Sequence, residues 1–448
     1  MSKEATASRR PATLVRAAAG TYAAQLAANG FSLMSVLIVA RELGPTGRGQ
    51  VAFLIAVSTL TSSLASMSVE EANANLGGAR PEVRPTLVTN SFLLALVLGA
   101  AAALIVGGLV QIAPAVGGHA DSALLWLVLA TLPIGILQLY LKFLLQSDYR
   151  FLITNVAWVL SPGATAVLNG LLVVLGILTV RSAIIVWVAT GALATLVLVV
   201  AVARAYGFGR PDPALAKECV WFGFKAHFGR FMALGNARAD QWMLGAIAGP
   251  HELGLYSIAR TWAEFLFYVP GTIQMLQRPD LVRSTRSYAA ELASKMFRRA
   301  VVLSAGAGLA MLVAAPFLCV TVFGPKFGGS VPMLRVLSFA AIGIVAIELL
   351  SNALIAQRMP LLASGADGSA LVMTIGLNVL LIPPLAGMGA AIATTVAYTL
   401  GGVAITTIFL WALKGRARDL VPGAADFAWF WRKARAELAV LRRRPAEL

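Results

Sequence analysis

Charged side chains inside otherwise apolar stretches are the residues of this sequence that could do chemistry. Two stretches of the second half, at about residues 218–248 and 252–278, contain them at helical spacing. These charged residues are Lys225, Arg230, Arg238, Asp240, Arg260 and Glu264. Guanidinium groups bind anions through charge-assisted hydrogen bonds, and an intramembrane carboxylate can bind a cation. The pattern therefore favours ion or anion binding over covalent catalysis, and no catalytic residue is assigned.

Helix geometry sorts these charges into a pair and a face. At 1.5 Å per residue, Asp240 lies about 12 Å before the outer end of its helix and Arg260 about 12 Å after the start of the next. We therefore expect Asp240 and Arg260 to meet. Arg230 lies about 80° from Arg238 around one helix, which predicts a shared face for an anion. The alternative is a fixed interhelical network of the same charges, in which Glu264 neutralises Arg260 at i, i+4 or binds a coupling cation.

The polar residues of the first half are mostly uncharged. Gln25 and Asn29 share one face of the first predicted helix, and a Ser/Thr series follows in the second. Among the acidic residues of this half, Glu70, Glu71, Asp121 and Asp148 fall near predicted helix ends. We treat Gln25 and Asn29 as candidate binding residues, and Asp240, Arg260 and Glu264 as candidates for ion coupling or gating.

The amino-acid composition indicates that these helices lie in lipid and not in water. The chain has 448 residues, of which 58% are hydrophobic and 12% charged, and its mean hydropathy is +0.80. This apolar content exceeds what a water-soluble core buries, so an all-α polytopic membrane protein is predicted. The net charge of +16 comes from Lys and Arg in short connections and at the termini, which argues against nucleic acid binding.

No cofactor or metal is indicated by the sequence. His119, His227 and His251 lie outside any metal-ligand spacing, and Cys219 and Cys319 have no paired spacing. We expect both cysteines to be free, buried thiols.

About twelve transmembrane helices are predicted from the apolar stretches. Their approximate ranges are 14–40, 48–69, 86–112, 122–146, 151–177, 182–204, 218–248, 252–278, 299–323, 331–355, 361–382 and 388–413. Of the 36 Lys and Arg residues, 27 lie in or beside the first tail and every second connection, and 4 lie on the opposite side. This asymmetry predicts that both termini are cytoplasmic.

An internal repeat divides the chain. Gly44-Pro45 followed by Gly49 recurs as Gly249-Pro250 followed by Gly254, at an offset of 205 residues. A second match, between the segments 169–172 and 378–381, has an offset of 209 residues. The repeat predicts two six-helix lobes, 1–205 and 206–415, around a central cavity.

Three further segments carry local signals. Ser161-Pro162 is expected to break the fifth helix, as a hinge or a kink. The segment 279–298 is expected to form an amphipathic helix on the membrane surface. In the tail 416–448, the aromatic cluster 427–431 precedes basic residues, which favours anionic lipids as partners over a disordered basic tail.

Several motifs occur in a fixed order along about residues 14–413. They are the run Arg41–Gln50, Arg238-Ala239-Asp240, the run Leu253–Ala259, Val269-Pro270, the run Phe323–Phe327, Asn378 with Ile382-Pro383, and the run Gly387–Ala391. Together these motifs resemble the polysaccharide transporters of the Wzx type, within the multidrug, oligosaccharidyl-lipid and polysaccharide flippase superfamily.

The resemblance implies a flippase that works by alternating access for polysaccharide export, moving a polyprenyl-diphosphate-linked oligosaccharide from the cytoplasmic to the outer leaflet. It also implies polysaccharide assembly proteins as a partner class. Arginines in one lobe suit a diphosphate, and amides in the other suit sugar. Three alternatives stay open: a multidrug or other small-molecule antiporter of the same superfamily, a membrane glycan polymerase or ligase, and a scaffold without transport activity. The first expects an acidic residue inside the first lobe, and the second a large external loop.

Overall fold

The structure is a computed structural model that describes residues 4–117, 120–429 and 432. His119, Phe430, Trp431 and the basic tail residues from 433 to 444 lie outside the described residues, as do the side chains of Lys225, His227 and Arg230. No β-strand occurs in the described ranges, which confirms the all-α fold class.

Helices account for most of the described chain. In chain order they are α1 Glu4–Ala65, α2 Val69–Ala79, α3 Arg84–Ile112, α4 Ser122–Ala130, α5 Leu132–Ser147, α6 Phe151–Val174, α7 Val180–Tyr206, α8 Pro213–Ile247, α9 Gly249–Ala263, α10 Tyr268–Arg283, α11 Arg286–Pro316, α12 Ser330–Ser338, α13 Ala341–Ala356 and α14 Pro360–Leu413. The chain forms two compact units, Met1–Ser257 and Ile258–Leu448. The predicted lobes 1–205 and 206–415 stay a prediction.

Seven helical stretches of the described residues are long and apolar enough to cross a membrane, and the bent pair α12–α13 would make eight. The predicted twelve is therefore not confirmed as a count. Two of the seven are too long for one crossing: Ala19–Ala65 has 47 residues and Pro360–Leu413 has 54, against about 20 for a single span. Kinks at Gly44 and Ala386 divide them. The helix α8 is not among the seven, because charged residues recur along it.

Two local predictions are corrected by the structure, the first of them in part. The helix α6 runs without interruption through Pro162, from Phe151 to Val174, so Ser161-Pro162 does not break it, and a kink at this point stays a prediction. The helix α11 begins at Arg286 and continues to Pro316 as one helix. The segment from residue 286 onward is therefore the extension of a membrane span, and not a separate helix lying on the surface. Favourable helix formers on both sides of residue 299 explain the continuity.

The first unit packs around α1, α5 and α6. The helices α1 and α6 run parallel, because Asn155 donates to Thr21 and Asn169 donates to Ser35, both at 3.1 Å. A buried cluster that includes Leu87, Tyr140 and Leu198 joins α3, α5 and α7. Many apolar side chains of this unit face outward, Ile112 and Val174 among them. This arrangement suits a lipid solvent.

The second unit has its main core between α11, α13 and the C-terminal half of α14. Phe297, Leu350 and Phe409 are buried in it, together with Leu420 from the segment that follows α14. Cys319 of this unit and Cys219 of the first are both free and buried, as the sequence predicts.

Candidate functional site

The glycine of the repeated Gly-Pro motif has a positive φ in both copies. Gly44 has φ 67° and Gly249 has φ 83°, a left-handed conformation that glycine adopts without steric cost. Each glycine stands directly before a proline, and in each copy the chain turns from one helix into the next. The sequence repeat therefore encodes a structural repeat of the turn.

The two turns pack directly against each other within the first unit. A Cβ added to Gly49 would lie 1.7 Å from the carbonyl oxygen of Pro250, and one added to Gly254 would lie 1.8 Å from that of Pro45. Thr46 Oγ1 and His251 Nδ1, which are also equivalent residues of the two copies, lie 3.4 Å apart. Each residue of one copy thus makes the same contact as its equivalent in the other copy, as across a two-fold axis. We call this arrangement the glycine–proline contact.

Asp240 is fully buried near the end of α8. Its carboxylate accepts a hydrogen bond from the Tyr256 hydroxyl at 2.5 Å and another from the Gln241 backbone N–H at 2.7 Å. Tyr256 lies on α9 and is also fully buried. The phenol is a partner of Asp240 that a search for opposite charges in the sequence does not find. The pairing of Asp240 with Arg260 stays a prediction.

Arg260 is buried on α9. An oppositely charged group, the Glu264 carboxylate, lies close to it in the second unit. Its Nε lies 3.8 Å from Glu264 Oε1, at spacing i, i+4, and its guanidinium lies 6.0 Å from the centre of the Tyr398 ring. Glu264 is partly exposed. This geometry matches the interpretation in which Glu264 neutralises Arg260, while a coupling or gating role for either residue stays a prediction.

The candidate anion-binding arginines lie on one uninterrupted helix, α8. The side chain of Arg238 is half-buried, and that of Arg230 is not described. An anion-binding face formed by both residues is therefore still a prediction.

Gln25 and Asn29 are half-buried on the first half of α1. Gln25 lies one turn after Thr21, which contacts Asn155 of α6. The two amides therefore lie beside the α1–α6 packing surface, and their role in binding also stays a prediction.

Glu70 lies in a different environment from the one its sequence position suggested. It follows a helix break at Met67 and Ser68, both with left-handed φ near 50°, and it is fully buried. Ser66 Oγ donates to Glu70 at 3.3 Å, and Tyr140 donates to the Ser66 carbonyl at 2.8 Å. The first unit therefore does contain a buried carboxylate, at the start of α2.

A second charged cluster joins α3, α5, α6 and α7 at the end of the first unit opposite the glycine–proline contact. Asp148 lies 2.8 Å from Arg84 and 2.9 Å from Arg150, and it accepts a hydrogen bond from Tyr206 at 3.2 Å. Partial burial opposes the charged form of Asp148, but the hydrogen bond from Arg150 and the nearby Arg84 together lower the pKa of that carboxyl. Arg84 and Tyr206 lie 64 and 58 residues from Asp148, so no spacing rule could find this cluster.

Solved structures share this fold. An inward-facing MATE family transporter of the MOP superfamily matches with a TM-score of 0.69 at 14% identity, over 86% of this chain and 94% of that one. The lipid II flippase MurJ, in an inward closed conformation, matches with a TM-score of 0.72 at 12% identity, over 89% of this chain and 88% of that one. A MOP superfamily transporter from Pyrococcus furiosus matches with a TM-score of 0.54 at 15% identity, over 89% of this chain and 95% of that one.

Such identities establish the fold alone: this chain is a multi-pass membrane protein with the fold of MOP superfamily transporters. Among curated proteins, none matches the sequence significantly. A family model does match, over residues 38–332, and its description is "Polysaccharide biosynthesis protein". The chain belongs to this family, which confirms the resemblance seen in its motifs.

Proposed function

We propose that this protein is a flippase that moves a polyprenyl-diphosphate-linked oligosaccharide from the cytoplasmic to the outer leaflet of the bacterial inner membrane. The observation that carries the proposal is membership of the polysaccharide biosynthesis family. The fold shared with a lipid II flippase supports it. In this proposal the protein moves its cargo and breaks no covalent bond.

Arg238 and Arg230 are the proposed contacts of the diphosphate. A cavity-facing arginine keeps part of its hydration while the cavity is empty, and it gains paired hydrogen bonds when phosphate arrives. The half-buried side chain of Arg238 suits this role. Gln25 and Asn29 are the proposed sugar contacts, because an amide both donates and accepts hydrogen bonds.

The glycine–proline contact is the proposed closure at the outer end of the cavity. It contains backbone atoms at van der Waals distance and one weak side-chain hydrogen bond. Such a contact can separate without leaving a buried charge unpaired. Alternating access requires this kind of reversible closure, and Asp240 with Tyr256 holds α8 and α9 together beside it.

Reconstitution into liposomes tests the proposal. Lipid-linked oligosaccharide is loaded, and the fraction accessible to an external lectin or glycosidase is measured over time with and without the protein. Arg238→Lys keeps the charge but loses the planar fork, so flipping should fall about ten-fold at unchanged protein level. In Arg238→Gln, the rate of flipping should fall further. Arg204→Gln, an exposed cation at the end of α7, is the matched control and should flip normally.

Two results would contradict the assignment. If the parental protein does not change the accessible fraction, it is not a flippase for that cargo. If Arg238→Gln flips at the parental rate, Arg238 belongs to a structural network and another group contacts the diphosphate.

One observation favours a second candidate function, a cation or drug antiporter. Glu70 is fully buried in the first unit, where a carboxylate could exchange a proton for a cationic substrate. Glu70→Gln would then abolish proton-driven efflux of a cationic dye from proteoliposomes. Dye efflux that is absent in the parental protein, or unchanged in Glu70→Gln, would exclude this candidate.

A further inference from the structure

The segment that follows α14 is clamped to α11. Arg298 of α11 donates through Nε to the Asp426 carboxylate at 3.0 Å and through Nη1 to the Asp419 carbonyl. Asp426 also accepts from the Gly423 backbone N–H at 3.1 Å, which fixes the turn before a helical segment at residues 424–429. The Arg299 guanidinium lies 4.1 Å from the centre of the Trp429 ring. Two successive arginines of α11 therefore hold this segment at Asp419, Asp426 and Trp429.

The contacts with α11 bury one acidic residue of the segment and leave its basic residues exposed. Leu420 and Asp426 are buried toward α11, so one of the two acidic groups is neutralised inside. The cations Lys414, Arg416 and Arg418 are exposed, and so is Arg432. One acidic residue, Asp419, also lies on the outward side. It is half-exposed, and its Oδ1 lies 3.9 Å from Arg418 Nε. The outward side is therefore cationic.

Apolar side chains lie among these cations. Val421 is 66% exposed and Phe427 is 52% exposed. Burial of their apolar surface would lower the free energy, and none of the described residues of the second unit covers them. A surface that mixes cations with exposed apolar side chains fits the boundary between lipid headgroups and acyl chains.

The segment lies where that boundary must be. The apolar helix α14 ends at Leu413, and Trp411 on its last turn is 74% exposed, as expected of an aromatic residue at the membrane interface. Lys414 in a left-handed conformation and the hydrogen bond from Gly415 to Leu410 turn the chain at this point. The charges of α11 also end here, since none follows Arg299 in that helix.

We propose that residues 414–429 form a docked surface that binds anionic lipid headgroups. The clamp to α11 holds Phe427 and Val421 toward the acyl chains and leaves Arg416 and Arg418 to contact the headgroups. This proposal is independent of the cargo and of the transport activity proposed above.

The test uses the full-length protein in nanodiscs. Phe427→Cys is introduced together with Cys219→Ala and Cys319→Ala, and the thiol is labelled with an environment-sensitive fluorophore. Quenching by headgroup spin-labelled phosphatidylcholine is measured while phosphatidylglycerol replaces phosphatidylcholine up to about one third of the lipid. Quenching should rise with the anionic fraction and fall in about 1 M salt, where the screening length is about 3 Å.

Variants separate the surface from a simple electrostatic tether. Arg416→Gln with Arg418→Gln should weaken the apparent lipid affinity about five-fold for each charge removed. Arg298→Gln and, independently, Asp426→Asn release the clamp and should abolish most of the lipid-dependent quenching. Lys295→Gln removes an exposed cation from the same part of α11 and should leave the quenching unchanged. Every variant is made in the Phe427→Cys background, and its folded state is checked by gel filtration and thermal unfolding.

Three results would overturn the proposal. Equal quenching in phosphatidylcholine and in phosphatidylglycerol would exclude anionic lipid as the partner. Lipid-dependent quenching that survives both clamp variants would show an undocked basic tether. Protection of Phe427→Cys that needs an added cytosolic protein would identify a protein partner instead.

Discussion

The two ends of the first unit are held by different forces. At one end, the glycine–proline contact consists of backbone atoms and one hydrogen bond between side chains of modest polarity. At the other, Asp148 joins Arg84, Arg150 and Tyr206 through charge. A contact without ions depends on shape and can open as a unit, whereas an ion cluster resists separation because each charge would lose its partner. The comparison predicts that the glycine–proline contact separates during transport and that the helices joined at Asp148 stay together.

A cross-link across the glycine–proline contact should have the largest effect on transport. Thr46→Cys with His251→Cys, in a chain with Cys219→Ala and Cys319→Ala, places two thiols at the contact. Oxidation should stop flipping almost completely and reduction should restore it, if this end opens in each cycle. The single Thr46→Cys variant, oxidised in the same way, is the control. Flipping that continues in the fully cross-linked protein would show that this end is static.

Adding one methyl group at the contact should have the next largest effect. Gly49→Ala and Gly254→Ala each place a Cβ less than 2 Å from a carbonyl oxygen, so the backbone must shift, at a cost of about 2–3 kcal/mol. Thermal unfolding of the purified protein should show the loss. Gly30→Ala is the control, since it lies on the same helix with nothing within 4 Å. Equal stability of Gly30→Ala and Gly49→Ala would contradict the close contact.

The charged end should show the smallest effect, and its contribution to stability should depend on pH. The pKa of Asp148 is lower in the folded protein than its ordinary value of 3.8. Its stabilisation, about 1 kcal/mol for such a partly exposed cluster, is therefore complete above that value and is lost as the pH falls through the lower folded pKa. The difference in melting temperature between the parental protein and Asp148→Asn should be constant from about pH 5 to 8 and should shrink in more acidic buffer. A difference that grows on acidification would contradict the sign.

Much of the fold could be predicted from the sequence because hydropathy and glycine spacing are local signals. Apolar stretches predict the long helices, and the Gly-Pro motif repeated at an offset of 205 residues corresponds to two turns that the structure places against each other. The predicted helical boundary at residue 299 is wrong, because a charged segment can continue a helix that spans the membrane. In the structure, the helix simply continues beyond the lipid.

The polar contacts were harder to predict, for a physical reason. The spacing i, i+4 was enough to propose the Arg260–Glu264 pair. The partners of Asp148 come from distant helices, and burial of Glu70 depends on how α2 packs after the break at Met67. Such neighbours are set by tertiary packing, which local patterns in one sequence do not contain.

The continuity of α11 has a mechanical consequence. A helix of 31 residues is a rod of about 46 Å, and a tilt of about 10° within the bilayer would displace its far end by about 8 Å. Because Arg298 and Arg299 attach the segment after α14 to that rod, the segment must move with it. Rearrangement of a buried span would then be visible as a distance change at the water-exposed end, where a spectroscopic probe is easily attached.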